Sequence, residues 1–365
     1  MTKVLIPTKP DDTHSIYVQQ ALDKKGHKGL LWYTADFPEQ QKHTFELWDN
    51  NLYWYSRGTE FTINNNHEFD VVWVRRPRRP VLPTSIHPDD KENATNENAA
   101  FFKTFWQVIA PTAFWINPIS SLQGVNCKLQ QLKLAAELGL KTPETLISND
   151  PTKIKNFIIN YKEGDVIYKT LYPVFWMNEN DLRLTYTKEI RLENLPSNMV
   201  LQNTPGIFQK KIQKAFELRV TYFGDHAITV KLRSQEHPKG IMDWRYIPTH
   251  ELIVEAFILP DDIHKKCKAL MEKFGIVFGC FDFIVTPDND YYFLEVNEQG
   301  QFLWIEEVNP DIKMLDAFTE FLINGSRDFS WKKSNRSVSL LDFKNDMIEI
   351  QTKAMEIHKD PGMFF

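Results

Sequence analysis

Neither a GxxxxGK[ST] phosphate loop nor a GxGxxG turn occurs in this chain, so P-loop and dinucleotide-fold readings lose their usual support. Cysteine is scarce. Cys127, Cys267 and Cys280 lack metal-ligand spacing, and an odd number gives no disulfide framework, so a reduced, cytoplasmic setting is expected. No apolar run approaches the roughly 18 residues of a membrane span. The opening MTKVLIPTKPDD holds too short an apolar run for a signal peptide. A surplus of positive charge is missing as well: 43 Lys and Arg against 48 Asp and Glu give a net charge of −5. That balance argues against a general nucleic-acid binder, which needs excess Lys and Arg for phosphates. Neither nucleic acid nor membrane is expected as a partner, and the chain has no internal repeat or low-complexity segment.

What is present is a soluble globular composition, 42% apolar and 25% charged, in 365 residues. That length is generous for one core and points to two or three domains. KVLIP reads as a buried strand and HSIYVQQALDKKGHKG as a helix with Ile16, Val18, Ala21 and Leu22 inward, stopping at Gly26. A hairpin follows around Trp48 to Tyr55. FDVVWV is a buried strand running into RRPRRP; then come a helix (NENAAFFKTFWQVI) and a strand (FWINP). Strands alternating with helices predict a small α/β domain to about residue 120. NCKLQQLKLAAELGLKTPET predicts a helix capped by Asn126, with Leu129, Leu132, Ala136 and Leu138 on one face and Gly139 as its stop. DVIYKTL is a strand, YPVFWMNENDLRLTYT a hairpin, and GIFQKKI and AFELRVTYFGDHAITVKLRS supply three more strands. DIHKKCKALMEKFG and the segment with Met314, Leu315, Phe318, Phe321 and Leu322 are helices. The polar tail from about 326 carries one candidate helix, SLLDFKNDMIEIQTKAMEI, whose apolar face could dock on the body or on a second subunit.

One hairpin stands out, GCFDFIVTPDNDYYFLEVNEQGQF, residues 279–302. A turn centred on Asp288-Asn289 sets Asp282 opposite Glu295, with Asn297 on the same face of its strand. Two carboxylates about 5 Å apart repel by about 3 kcal/mol at an effective dielectric near 20. Compensation is expected, either from a shared proton on a raised carboxyl or from a hard divalent cation on Asp282, Glu295 and Asn297. Lys169 ends the strand DVIYK and Lys128 opens the helix KLQQLKLAAELG. Lysines on phosphates beside an acidic metal site make a nucleotide site, and FQKKI, ahead of FELRV, could pair its backbone with a purine edge.

In this order the motifs resemble the ATP-grasp superfamily: NCKLQQL, VIYK, FQKKI and FDF…FLEVNEQGQF. More narrowly they are similar to the graspetide (microviridin-type) ATP-grasp peptide macrocyclases. The residues carrying this are DVVWVRRPRRP, KLQQLKLAAELGLKTPETLISN, FQKKIQKAFELRV, DWRY and LEVNEQGQFLWIE, over about residues 1–325. The resemblance implies an α/β (α+β) ATP-grasp fold. Its expected parts are a pre-ATP-grasp domain over 1–122, a central subdomain with a peptide-binding hairpin over 123–205, a C-terminal subdomain with the metal hairpin over 206–325, and a tail over 326–365. It implies a ligase that uses ATP and Mg2+, expected as two ions, to phosphorylate Asp or Glu side chains of a precursor peptide (leader and core). A Ser or Thr hydroxyl or a Lys amine then closes an ω-ester or ω-amide ring. Lys128, Lys169 and Arg233 would act on phosphates and oxyanion. Gln209, Lys210, Lys211 and Ile212 would hold adenine, and Glu217 the ribose. Arg75, Arg76, Asp243 and Arg245 would face the peptide.

Two features depart from the superfamily pattern. Leu171 to Leu184 contains no glycine where a glycine-rich lid would lie, and the hinge carries Lys-Lys where relatives often hold an acid, so adenine recognition should rest on backbone groups. An amino-acid or dipeptide ligase, or a nucleotide-binding protein without turnover, are the alternatives. A homodimer is allowed.

Overall fold

The computed structural model describes residues 1–360 apart from 59–60, 65–68, 172–174, 179–180, 185–186 and 334–335; the side chains of 64, 175–178 and 181–184 also lie outside the described set. Its first sheet has four parallel strands in the order Lys28–Tyr33, Lys3–Thr8, Val71–Trp73, Phe114–Ile116. Val4, Leu5, Ile6, Val71 and Val72 are fully buried, as strands covered on both faces require. Helix Thr13–Lys24 covers one face, and its N-cap Asp12 accepts from the Ser15 N–H. The aromatic excursion after it is a meander of Lys42–Trp48, Asn51–Arg57 and Thr62–Asn64.

A central antiparallel sheet follows, ordered Lys188–Glu189, Val166–Lys169, Gly206–Lys210, Thr145–Ser148. A domain division at 205 would cut Gly206–Lys210 from the strands to which it is hydrogen-bonded. The hairpin expected at 172–187 has its two strands, Phe175–Asn178 and Asp181–Leu184; its turn and side chains fall outside the described residues.

The third sheet runs Val254–Ala256, His226–Leu232, Phe216–Phe223, Phe278–Val285, Tyr291–Asn297, all antiparallel. Its Phe223 and Phe278 share one core with Ile6 and Trp73 of the first sheet and with Phe318 and Phe321 of helix Met314–Asn324. The tail helix Met347–Ile357 docks on the body, burying Met347 and Ala354 in that core. Buried carboxylates fasten the tail: Asp316 accepts from the Val338 N–H (2.9 Å) and the Trp331 indole (2.8 Å), and Asp36 from the Lys359 N–H (2.8 Å).

Helix Lys128–Glu137 departs from its expected face. Gln131, Leu132 and Ala135 are buried, whereas Leu129 and Ala136 are exposed, and the N-cap is Cys127 without a side-chain cap bond. The helix is rolled so that Lys128 and Gln131, one turn apart, face the acidic hairpin.

Candidate active site

Phe281 and Phe283 are fully buried in the core, so Asp282 between them must emerge on the opposite face of the sheet. Asp282 pairs directly with Glu295, and Cys280 with Asn297. The expected register holds at the site but is reached differently. The turn centres on Asp288, where the Thr286 N–H bonds the Asp290 carbonyl, and an extra residue, Leu294, restores the pairing beyond Phe283 and Phe293.

The two carboxylates are compensated by cations of the chain itself. Arg219, directly across the ladder from Asp282, donates from Nη1 to both its oxygens at 2.8 and 2.9 Å, and from Nη2 to the Gln301 carbonyl at 3.0 Å. Lys128 Nζ stands 3.0 Å from Glu295. Arg219 lies inside the FELRV block but was not among the expected site residues. Its signal was its position two residues after Glu217, which places both on one face of a strand. Burial opposes the charge on Glu295, but Lys128 and then Lys169 outweigh it and hold that carboxyl at about 2. Asp282 goes the other way: burial pushes it up, against Arg219, and the facing Glu295 adds to the rise. A third option therefore joins the shared proton and the metal, namely two opposed ion pairs.

Other side chains hold this geometry. Gln131 donates to the Val296 carbonyl (2.9 Å) and accepts from the Val296 N–H (2.9 Å), so its amide stands in for a neighbouring strand between Glu295 and Asn297. Asn117 accepts from the Val277 and Phe278 N–H groups (both 2.8 Å) and donates to the Glu298 carbonyl (3.0 Å), tying the two strands at one end. Gly300 has no room for a side chain: a Cβ there would come within 2.6 Å of the Cys280 sulfur and 3.0 Å of Arg219 Nη2. Nothing in the sequence marks Gln131 and Asn117, because a buried amide looks like any surface amide until its neighbours are known.

Lys169 is half-buried at the end of its strand; burial lowers its pKa, while Glu295 pulls it back up. Asp243 is buried and grips Arg245 through three bonds, 2.8 Å to Nε, 2.5 Å to Nη2 and 3.2 Å to its backbone N–H. Asp243 and Arg245 both act on Lys169, and Glu295 and Asp282 both act on Arg245, so these groups form one electrostatic cluster. Glu217 is buried between Lys214 (2.9 Å) and the Ser234 hydroxyl (2.9 Å), and burial raises its carboxyl.

Other expected residues sit differently. Arg233 is half-exposed and engaged by Glu255 (2.6 Å) and Glu236 (3.3 Å). Gln209 is buried on Thr145 (2.9 Å), Lys210 pairs with Glu144 (3.3 Å) and Lys211 with Glu189 (3.0 Å). The Lys210 and Lys211 N–H groups bond the Glu144 and Asp165 carbonyls. Among the described residues the Ile212 N–H has no backbone partner. Arg75, expected on the peptide side, is fully buried, its Nε on Asp12 (3.1 Å) and its Nη1 on the Gln299 carbonyl (2.5 Å). It ties the first sheet to the loop after the acidic hairpin. Arg76 beside it stays about one-third exposed.

Residues 3–123 match the MvdD pre-ATP-grasp domain model. No curated protein matches the chain. Among solved structures the chain is similar to a RiPP-associated ATP-grasp ligase from Chryseobacterium gregarium, determined with ADP and a leader and core peptide: 25% identity and TM-score 0.79, covering 91% of this chain and 100% of that one. It is also similar to the macrocyclase MdnC of Microcystis aeruginosa, bound with the precursor peptide MdnA: 28% identity and TM-score 0.76, covering 89% of this chain and 100% of that one. The macrocyclase MdnB of the same organism matches at 26% identity and TM-score 0.72, with 89% and 100% covered.

Proposed function

We propose that this chain is an ATP-grasp enzyme of the graspetide-maturase type, which activates side-chain carboxylates of a ribosomal precursor peptide and closes them into macrocycles. The observation that carries this reading is the single cluster formed by Lys128, Lys169, Arg245 and the facing Asp282–Glu295 pair. Cations able to hold phosphates and a substrate carboxylate surround oxygen donors suited to a hard divalent ion.

In the proposed reaction a peptide carboxylate oxygen attacks the γ-phosphorus of ATP, and ADP departs. A Ser or Thr hydroxyl, or a Lys amine, then attacks the acyl carbon, giving up its proton as phosphate leaves. Lys128 and Lys169 would hold ATP phosphates, with Arg233 as a third cation. Arg245, braced by Asp243, would orient the carboxylate bidentately. The Ile212 N–H suits an adenine ring nitrogen, and Glu217 the ribose.

Among the described residues no group of three His, Cys, Asp or Glu converges on one point. Magnesium would accordingly rest on Asp282, Glu295 and Asn297, with water and phosphate oxygens completing its shell. Bound there, it would supply charge neutralisation for the transferring phosphoryl group. The donor set would fit once Lys128 moved from Glu295 to a phosphate, with Asp282 held in place by Arg219 and each of its oxygens keeping a lone pair for the ion. The domain scheme proposed is the one the resemblance implies, with the central subdomain extended through Lys210. Among the described residues no helix is long and apolar enough to cross a membrane.

Hydroxylamine trapping tests the activation step. With ATP, magnesium and an acidic Thr- and Ser-bearing precursor, a peptidyl hydroxamate should accumulate. ADP release driven by free amino acids, with no hydroxamate on peptide, would favour a small-substrate ligase instead.

A further inference from the structure

Strands Lys3–Thr8 and Val71–Trp73 are neighbours in the parallel sheet, yet the chain leaves them for opposite sides: the first leads to Lys28–Tyr33, the second to Phe114–Ile116. At such a switch point the loops after the strands diverge and leave a crevice, the common ligand position in open α/β sheets. Here Lys9, Asp11 and Asp12 follow the first strand, and Arg75, Arg76 and Arg78 follow the second.

Most of these charges are already paired. Lys9 bonds Asp11 (2.5 Å), Arg75 holds Asp12 (3.1 Å), and Arg78 meets Asp360 of the tail (3.5 Å). Arg76 is different. Its one ion-pair contact among the described residues is Asp12 at 4.0 Å, and that carboxylate is already held by Arg75. Burial and the adjacent Arg75 both disfavour its charge, so an added anion would relieve it. The backbone stands at φ +52, with its N–H on the Gln299 side-chain oxygen at 3.3 Å. Gln299 lies two residues past Asn297, so this accessible guanidinium is mounted beside the end of the acidic hairpin.

We propose that Arg76 is a second carboxylate receptor, taking a non-reacting Asp or Glu side chain of the peptide substrate and so setting which acid reaches the Asp282–Glu295 end. This rests on the peptide-ligase reading and refines it. A singly charged, planar carboxylate matches one guanidinium bidentately. A multiply charged phosphate fits worse, because Asp11 and Asp12 would repel it. Arg245, within the field of Glu295 and Asp282, remains the receptor for the reacting carboxylate.

The test measures binding without nucleotide, so it does not depend on turnover. The probe is a fluorescein-labelled peptide of alternating Thr and Glu, compared with its all-Gln version. Wild type should prefer the Glu peptide. Arg76→Gln should cut that preference about tenfold to a hundredfold, as loss of a charge-assisted bond implies. Arg76→Lys should fall between; ATP affinity should stay unchanged in both variants, and Tm should drop by no more than about a degree or two in Arg76→Gln, since Arg75 rather than Arg76 is the main partner of Asp12. Absence of a Glu preference in wild type, or an equal preference in Arg76→Gln, overturns the proposal. So does a parallel loss of ATP affinity and Tm, the mark of a purely structural arginine. Failure of wild type to form hydroxamate with ATP would instead count against the ligase reading, which this binding assay does not touch.

Discussion

Arg219 and Asp282 face each other across neighbouring strands, and both carboxylate oxygens receive the same guanidinium nitrogen, at 2.8 and 2.9 Å. Arg219 is almost wholly buried and Asp282 is about one-quarter exposed, so removing one partner leaves an uncompensated charge in a poorly solvated place. Arg219→Met should therefore cost about 2–4 kcal/mol in urea denaturation. The double variant Arg219→Met/Asp282→Asn should recover part of that loss. Additive single effects would mean that the pair is not coupled.

Glu295 gives the opposite balance. Its partner Lys128 is about one-third exposed, so solvent screening keeps the pair's contribution to stability well below what the depressed Glu295 carboxyl alone would imply. Glu295→Gln should leave Tm nearly unchanged and peptide binding intact while eliminating turnover. A large drop in Tm would show that the residue serves the fold.

The buried Asp12 supplies a pH signature. Burial works against its charge, but Arg75, with smaller help from His14 and Arg76, holds the carboxyl at about 2 against a usual 3.8. A depressed carboxyl contributes stability that is present above 3.8 and lost as pH falls toward 2. The contribution is about 2 kcal/mol. Comparing wild type with Asp12→Asn between pH 5 and 2 in urea melts should show a steeper acid loss in wild type. Parallel curves would refute the assignment.

The tail is fastened rather than appended. Val338, Phe343, Met347 and Ala354 are buried in the main core, and Asp316 holds Lys25 at 2.8 Å as well as the Val338 N–H. Deleting residues 326–365 should lower Tm by about 10 °C or more and expose apolar surface to a hydrophobic dye. Asp316→Asn should weaken the same attachment by a smaller amount. Unchanged melting of the truncated chain would show the tail to be dispensable.

Much of this architecture was legible because period and burial agree. KVLIP, FDVVWV and the helix with Phe318 and Phe321 carry patterns that fit a single element each. The facing of Asp282 and Glu295 was legible too, although through a turn misplaced by half a residue that the extra Leu294 offset. The partners of the site were less so. Arg219, Gln131 and Asn117 act through contacts 63 to 165 positions away in sequence, which local pattern does not report. The roll of helix Lys128–Glu137 is hidden from local pattern for the same reason: Gln131 is polar, and only its bonds to Val296 explain why it is buried.

The central claim is that the Lys128, Lys169, Arg245 and Asp282–Glu295 cluster drives ring closure on a peptide. The most direct measurement is intact-mass spectrometry of a Thr-, Ser-, Asp- and Glu-rich precursor incubated with ATP, magnesium and either wild type or Glu295→Gln. The account predicts loss of one water per ring with wild type and an unchanged mass with the variant. An unchanged precursor with wild type, or equal water loss with both proteins, would contradict it.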